Sequence, residues 1–436
     1  MRKLVLLLIA GFAAPAFATK VLTVEELERT VATARSAPDA KMAMLLSGLE
    51  LTDRLSAARF ASLEAELPGP KARQALLVLF DESAFLNLPA SDVPVAAPPE
   101  RNAQILMLAL AQNYAAEALS KMPNFFATRA TTHFEDTPAE PPHGAGKPFH
   151  GAEPVHFAGR SSVRIYYRDG HEVAEEGAPK RKKYEVPAYD FLSSGYTLTT
   201  AASADSGYHE QETVDAETRA PASYEPPAYA YTTSGEFGPT LAAVLMDTTH
   251  GGVLWEHLTW DHWEQGAEGL IAVFHYAVPE GASHYKVWFP DPAREDYRFP
   301  PYHGEMAVNP TDGSIRRVTM VAELKPSDPI TKADVLVDYG PVQIGGMTYI
   351  CPVKSVALTR AVVIHKQYSS SDPTVAVYTD VGPPQTMVND VAFERYHLFR
   401  SEARILTGTD PGLDMNPPAS SPVGAPSAVP ATPPQR

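Results

Sequence analysis

The chain has 436 residues, 44 % of them hydrophobic and 20 % charged, which is enough for two or three domains and at least one large core. A formal net charge of -16 makes nucleic acid a poor partner, because no basic face is evident to offset repulsion from phosphate. The single cysteine, Cys351, excludes internal disulfides, and its place in a strand pattern marks it as a small buried hydrophobe.

Residues 1–18 read as a cleavable signal peptide. Arg2 and Lys3 precede an apolar run over 4–14, and Ala16-Phe17-Ala18 fits a signal peptidase site, so the mature chain is expected to begin at Thr19 and to be periplasmic or secreted. The apolar run is too short to span a bilayer, and no later stretch qualifies. No cysteine follows the signal segment to accept a lipid.

Thr23-Val24-Glu25-Glu26 is a capping box that opens a helix reaching about Ser36. Met42, Leu45, Leu46 and Leu49 form the stripe of a second helix, and Leu55, Phe60, Leu63 and Leu67 that of a third, stopped by Pro68-Gly69-Pro70. Residues 72–80 and 101–122 add two more, separated by the Pro-rich stretch 89–99. Residues 19–126 are therefore expected to form an all-helical domain of antiparallel hairpins.

Residues 127–161 include a long Pro-, Gly- and His-rich stretch and are expected to be a linker or covering loop. From 162 to 410 the signals are β. The strand pattern at 163–167 meets the hairpin signal Asp169-Gly170 and returns through His171, Glu172 and Val173, while 174–231 reads as irregular chain over a sheet edge. Gly238-Pro239 starts a short helix with Leu241, Val244 and Leu245 on one side, ended by Gly251-Gly252.

Strands are expected at 253–260, 270–278, 285–289, 303–309, 315–324, 335–344, 347–353, 356–364 and 390–405. In the fifth of these, Val318, Met320, Ala322 and Leu324 share one apolar face. Pro310 and Gly313 shape the turn between 309 and 315, and Gly345-Gly346 suits a primed hairpin turn. Strands joined by tight turns predict an α+β protein: a helical N-terminal region, then a large curved antiparallel sheet, half-barrel-like, with a helix packed on it. Residues 411–436 are Pro, Ala and Ser with little to bury, and are expected to form a disordered tail.

The residues offer few catalytic constellations. His171-Glu172 and His209-Glu210 lack the second histidine four positions on that a zinc protease helix needs, since Glu175 and Thr213 stand there. His143-Gly144-Ala145-Gly146-Lys147-Pro148 has Pro148 where a phosphate loop needs a hydroxyl. The densest cluster is 255–264. Strand alternation there would put His257 and Asp261 with Trp255 and Trp263, and Glu256, His262 and Glu264 on the opposite face, which splits any metal site. His257, Asp261 and His262 are the candidates for a hydrolase centre, but no nucleophile is marked beside them. The simpler reading is a Trp-rich strand whose rings fill the core. No cofactor and no metal are expected.

The turn Asn309-Pro310-Thr311-Asp312-Gly313, the following Ile315-Arg316-Arg317-Val318, and Val342-Gln343-Ile344-Gly345-Gly346-Met347-Thr348-Tyr349-Ile350-Cys351-Pro352 together resemble the Lol-type periplasmic lipoprotein carriers over roughly 237–358. The resemblance implies a half-barrel with helices plugging its concave side and a cavity for acyl chains, with no residue-specific motif. Leu49-Glu50-Leu51-Thr52-Asp53-Arg54-Leu55 and Tyr167-Arg168-Asp169-Gly170 resemble exported soil-bacterial proteins of unknown function. The expectation is a non-catalytic exported protein that binds a lipid, a lipoprotein or an envelope protein through its sheet. The alternative is a structural or scaffolding protein with a self-filled core, and the third reading is a hydrolase at His257, Asp261 and His262.

Overall fold

The computed structural model describes residues 19–136, 154–168, 171–173, 198–202, 231–234, 239–248, 258–289, 296–368 and 376–398. Its N-terminal part holds a short strand β1 (Lys20–Leu22), helices α1 (Val24–Thr33) and α2 (Asp39–Leu46), strand β2 (Leu49–Leu51), and helices α3 (Ala57–Glu66) and α4 (Pro70–Ser83). The expected capping box is present: Glu26 N donates to Thr23 Oγ1 at 3.2 Å and Thr23 N to Glu26 Oε2 at 3.1 Å. A second cap is tertiary. The Asp39 carboxylate accepts from Lys71 N at 3.2 Å and Ala72 N at 2.8 Å, so a side chain of α2 satisfies the free amides at the start of α4.

The region is not all-helical, because β1 and β2 pair in parallel, Lys20 opposite Leu49. Leu49, expected in a helix stripe, lies in that strand, where Leu49 and Leu51 point into the same core as Leu22, Leu27, Val31, Met42, Leu46 and Leu76.

Next come α5 (Arg101–Lys121), β3 (Phe125–Glu135), β4 (His156–Arg168), β5 (His171–Val173), β6 (Leu198–Ala202), β7 (Tyr231–Ser234) and α6 (Pro239–Asp247). They are followed by β8 (Leu258–Gly266), β9 (Gly269–Val278), β10 (Tyr285–Phe289), β11 (Asp296–Arg298), β12 (Tyr302–Val308) and β13 (Ile315–Ala322). The chain then runs through β14 (Ile330–Ile344), β15 (Met347–Tyr368) and β16 (Ala376–Leu398). Among the described residues ten strands form one antiparallel sheet in the order β5-β4-β3-β16-β15-β14-β13-β12-β9-β8, whose end strands do not pair with each other, and β11-β10-β6-β7 make a smaller one. The protein is thus α+β, with a helical N-terminal region and a large antiparallel sheet that does not close into a barrel.

Alternation assigns the large sheet's side chains to two faces. On one, Phe274, Tyr276, Met306, Val318, Val335 and Val337 pack with Leu108, Ala111 and Ala115 of α5 and Leu241 and Val244 of α6. On the other, Leu336, Val356, Leu358 and Val388 pack with Val78 of α4. The stretch expected to be one helical domain, 19–126, is therefore divided: α4 lies against one face and α5 against the opposite one. The Pro-rich connection between them meets the edge strand β8, where Trp263 Nε1 donates to Ala97 O at 2.9 Å.

Two further expectations are corrected. Residues 127–161, read as a linker, carry most of β3 and the start of β4, which pair along their length from Phe125 opposite Tyr167 to Glu135 opposite His156. Most of the Pro and Gly that suggested a loop fall in 137–153, outside the described residues, while Gly159 lies within β4. Second, the separate strands expected at 347–353 and 356–364 are one strand, β15. Pro352 pairs with Tyr339 beside a register shift, and a bulge removes the need for the ladder amide that proline lacks. The last described strand is β16, which contains 390–398 of the expected 390–405 and starts earlier, at Ala376; 399–405 lie outside the described residues.

Gly313 has φ +74°, as the turn chemistry requires, and a Cβ there would meet the Leu110 backbone of α5 at 2.3 Å. The turn thus sits directly on the helix. Cys351 is buried, and desolvation pushes its thiol up to about 12, as fits a packed hydrophobe.

Candidate functional site

The sequence-derived cluster is rearranged by a bulge. Trp260 stands opposite Phe274 and His262 opposite Val273, so Asp261 is the extra residue, and alternation resumes one step out of phase. Trp260 and Trp263 consequently share the apolar face in edge-to-face contact at 4.9 Å, with Trp260 also on Phe274 at 5.8 Å. Asp261 does not join Trp263 there. It is exposed and contacts His262 Nδ1 at 3.2 Å, while His262 Nε2 lies 3.8 Å from Glu264 Oε2. Burial lowers the affinity of His262 for a proton, but Glu264 and Asp261 outweigh it and raise its pKa. Among the described residues no hydroxyl or thiol is hydrogen-bonded to this imidazole. His257, the phosphate-loop-like 143–148 and His209-Glu210 lie outside the described residues, and His171-Glu172 is on β5.

Glu264 belongs instead to a buried ionic network. Arg317 grips it with two bonds, at 2.8 and 2.6 Å, and Arg54 reaches it at 2.9 Å. Arg54 also binds Glu305 at 2.9 Å, with Arg317 3.4 Å from the same carboxylate. Burial alone would push the Glu264 carboxyl up, but the two guanidiniums hold it well below the usual range. A cleft of about 130 Å3 adjoins, lined in part by Gln265, Arg316, Arg317 and Asp338. The network ties the loop after β2 to β8, β12 and β13, which is an assembly role.

A third buried acid stands without such support. Asp334 is 5 % exposed and its Oδ1 has no partner. Desolvation pushes its carboxyl up to about 7 against the pull of Lys332 and the Ala322 and Ala333 amides. Between about pH 4 and 7 the folded state keeps a proton that the unfolded chain has lost, so this group makes stability fall as pH rises. Such a displacement corresponds to roughly 4 kcal/mol as an upper bound. Asp334→Asn is expected to leave stability little changed at pH 4 and to raise it by roughly 2–4 kcal/mol at pH 8. Urea midpoints at the two pH values test it, and an equal change at both would refute the linkage.

Two further clusters carry histidine. Asp247, at the end of α6, has a fully buried side chain that accepts from Tyr302 OH at 2.7 Å and His284 N at 2.8 Å, and its other oxygen contacts His284 Nδ1. The carboxylate fixes the tautomer of a half-exposed imidazole. Among the described residues no nucleophile stands at its Nε2. In the other cluster His133 of β3 lies between two side chains, with Nδ1 2.8 Å from Asn389 Oδ1 and Nε2 2.9 Å from Ser161 Oγ. His133 is 4 % exposed, and burial lowers its pKa despite the bond to Asn389. Sequence reading missed this group because it assigned both His133 and Ser161 to a linker. The available strand signal was composition, a run of Phe and Thr over 125–134 with no Pro or Gly.

Among the described residues no group of three or more His, Cys, Asp or Glu side chains is placed to hold a metal ion. None of the described helices is long and apolar enough to cross a membrane. Comparison with protein-family models, with curated proteins and with solved structures finds no match to this chain. The likeness to Lol-type carriers therefore rests on the quoted residues alone.

Proposed function

We propose that the protein is exported and acts by binding, as an envelope protein that engages a protein partner while its own helices occupy the apolar side of the sheet. The observation that supports this reading is the packing of α5 and α6. Leu108, Ala111, Ala115, Leu241 and Val244 fill the face that an acyl chain would need. The apolar notch beside them, lined by Tyr114, Leu241, Ile315, Tyr339, Ile350 and Pro352 among others, measures about 20 Å3. That is room for about one water, against the roughly 300 Å3 at the low end of small-molecule sites.

A second reading, a carrier for a lipid or lipoprotein acyl chain, draws on the apolar lining of the same notch and on α5, whose Leu106 is 61 % exposed beside an otherwise apolar run. In that case α5 would lift to open the face. Each methylene moved out of water contributes about 0.8 kcal/mol, so one chain would suffice for useful affinity.

Native mass spectrometry after mild extraction from a Gram-negative host separates the two. The expected spectrum is a ligand-free chain beginning at Thr19. A stoichiometric lipid adduct would replace the first reading with the second, and retention of residues 1–18 would remove the export proposal.

A further inference from the structure

We propose that Ser161 is a nucleophile activated by His133, with Asn389 as the residue that positions the imidazole, and that the centre transfers acyl groups from activated esters to water. This goes beyond binding and stands or falls separately from it.

The three side chains come from adjacent strands. β16, β3 and β4 are neighbours, with Asn389 directly opposite His133 and Ser161 opposite Thr131, two residues along the same face. Gly159 stands opposite His133 on β4, so no side chain blocks the imidazole from leaning over that strand toward Ser161. An amide oxygen only accepts, so the contact of Asn389 Oδ1 with Nδ1 at 2.8 Å places the ring proton on Nδ1. Nε2 then carries the lone pair, and the bond at 2.9 Å has Ser161 Oγ–H as donor. This is the order of nucleophile, base and orienting group that acyl transfer requires. Burial, with the nearby Arg129 charge, disfavours the protonated imidazole against the pull of the Asn389 bond. Ser161 is only half-buried, whereas the base behind it is covered.

In the first step Ser161 Oγ bonds to the ester carbonyl carbon and its proton passes to His133 Nε2. The carbon–oxygen bond to the leaving group then breaks, and the departing alkoxide takes that proton. In the second step water attacks the acyl-serine, gives a proton to Nε2, and the acid leaves as Oγ is reprotonated. Atoms and charge balance with water as the only co-reactant. Asn389 offers the transient imidazolium a dipole where a carboxylate would offer a full charge, so a slow centre is expected.

The test treats the full mature chain with a fluorophosphonate probe and maps the adduct by mass spectrometry. One adduct is expected, on Ser161, absent from Ser161→Ala. His133→Gln, which keeps a polar group between the strands, should slow labelling by roughly 100-fold or more. Asn389→Ala should slow it, and Asn389→Asp should restore it. The labelling rate should rise with pH to a plateau, with a midpoint below the ordinary imidazole value of about 6.5. A folded wild-type chain that takes no adduct, or an adduct that persists in Ser161→Ala, overturns the proposal and leaves the cluster as a hydrogen-bonded strand pairing.

Discussion

Gly304→Ala is expected to abolish folding. Gly304 lies on β12 opposite Tyr276, and a Cβ at this position would stand 1.8 Å from the Thr319 carbonyl oxygen and 2.7 Å from its carbon. Both are backbone atoms of the neighbouring strand, so no side-chain rotation relieves the clash. The local bonding explains why the strands approach so closely. Glu305 N donates to Thr319 Oγ1 at 2.8 Å in place of a ladder bond, and the Tyr276 hydroxyl donates to Thr319 O. Prising β12 from β13 would break both and open the core around Tyr276, Tyr302 and Met306, all of which are fully buried. The cost should exceed about 4 kcal/mol, the range reserved for strain and core disruption. Circular dichroism and limited proteolysis of the purified variant check it, and a protein with wild-type melting would show that the two strands can separate at little cost.

The second large effect is expected from Arg54→Ala. The Arg54 side chain is 7 % exposed and bridges Glu264 and Glu305, whose side chains are 21 % and 12 % exposed. Burial and the neighbouring Arg317 charge both act against the Arg54 cation, so its position is held by the two carboxylates. Removing it leaves Glu305 with Arg317 at 3.4 Å as its remaining ion-pair partner in the network. Breaking one side of a buried pair costs roughly 3–5 kcal/mol, and little of this should be screened by salt. Arg54→Lys should recover only part, because one ammonium cannot reproduce a fork that spans two carboxylates. Urea denaturation at low and high salt measures both variants. A loss below about 1 kcal/mol would mean that the network contributes no more than an exposed pair.

How far the sequence could go is seen by comparing particular elements. The α1 capping box, the break at Pro68-Gly69-Pro70, Pro239 at the start of α6 and the Gly313 turn were all legible, because each depends on residues within a few positions of one another. Strands β9, β10 and β12 were legible within about a residue for the same reason. The Trp-rich strand was not. Its pattern is correct on either side of Asp261, but the bulge that brings Trp260 and Trp263 onto one face is created by pairing with β9, which local alternation cannot register. Asp39 is a further example, since nothing near it in the chain announces that it caps α4.

By itself, the sequence determined the α+β class, the helical start, the antiparallel character of the sheet and the conformation of its tight turns. Those follow from periodicity, proline geometry and the freedom of glycine, all of which are local. Only the tertiary structure decided that α4 and α5 lie on opposite faces, that β3 and β4 extend the sheet beyond a supposed linker, and that Arg54 meets Glu264 and Glu305. It alone placed His133 between Ser161 and Asn389. Each of these depends on residues far apart in sequence whose pairing is chosen by burial and hydrogen-bond satisfaction of the whole sheet, a free energy no single segment contains.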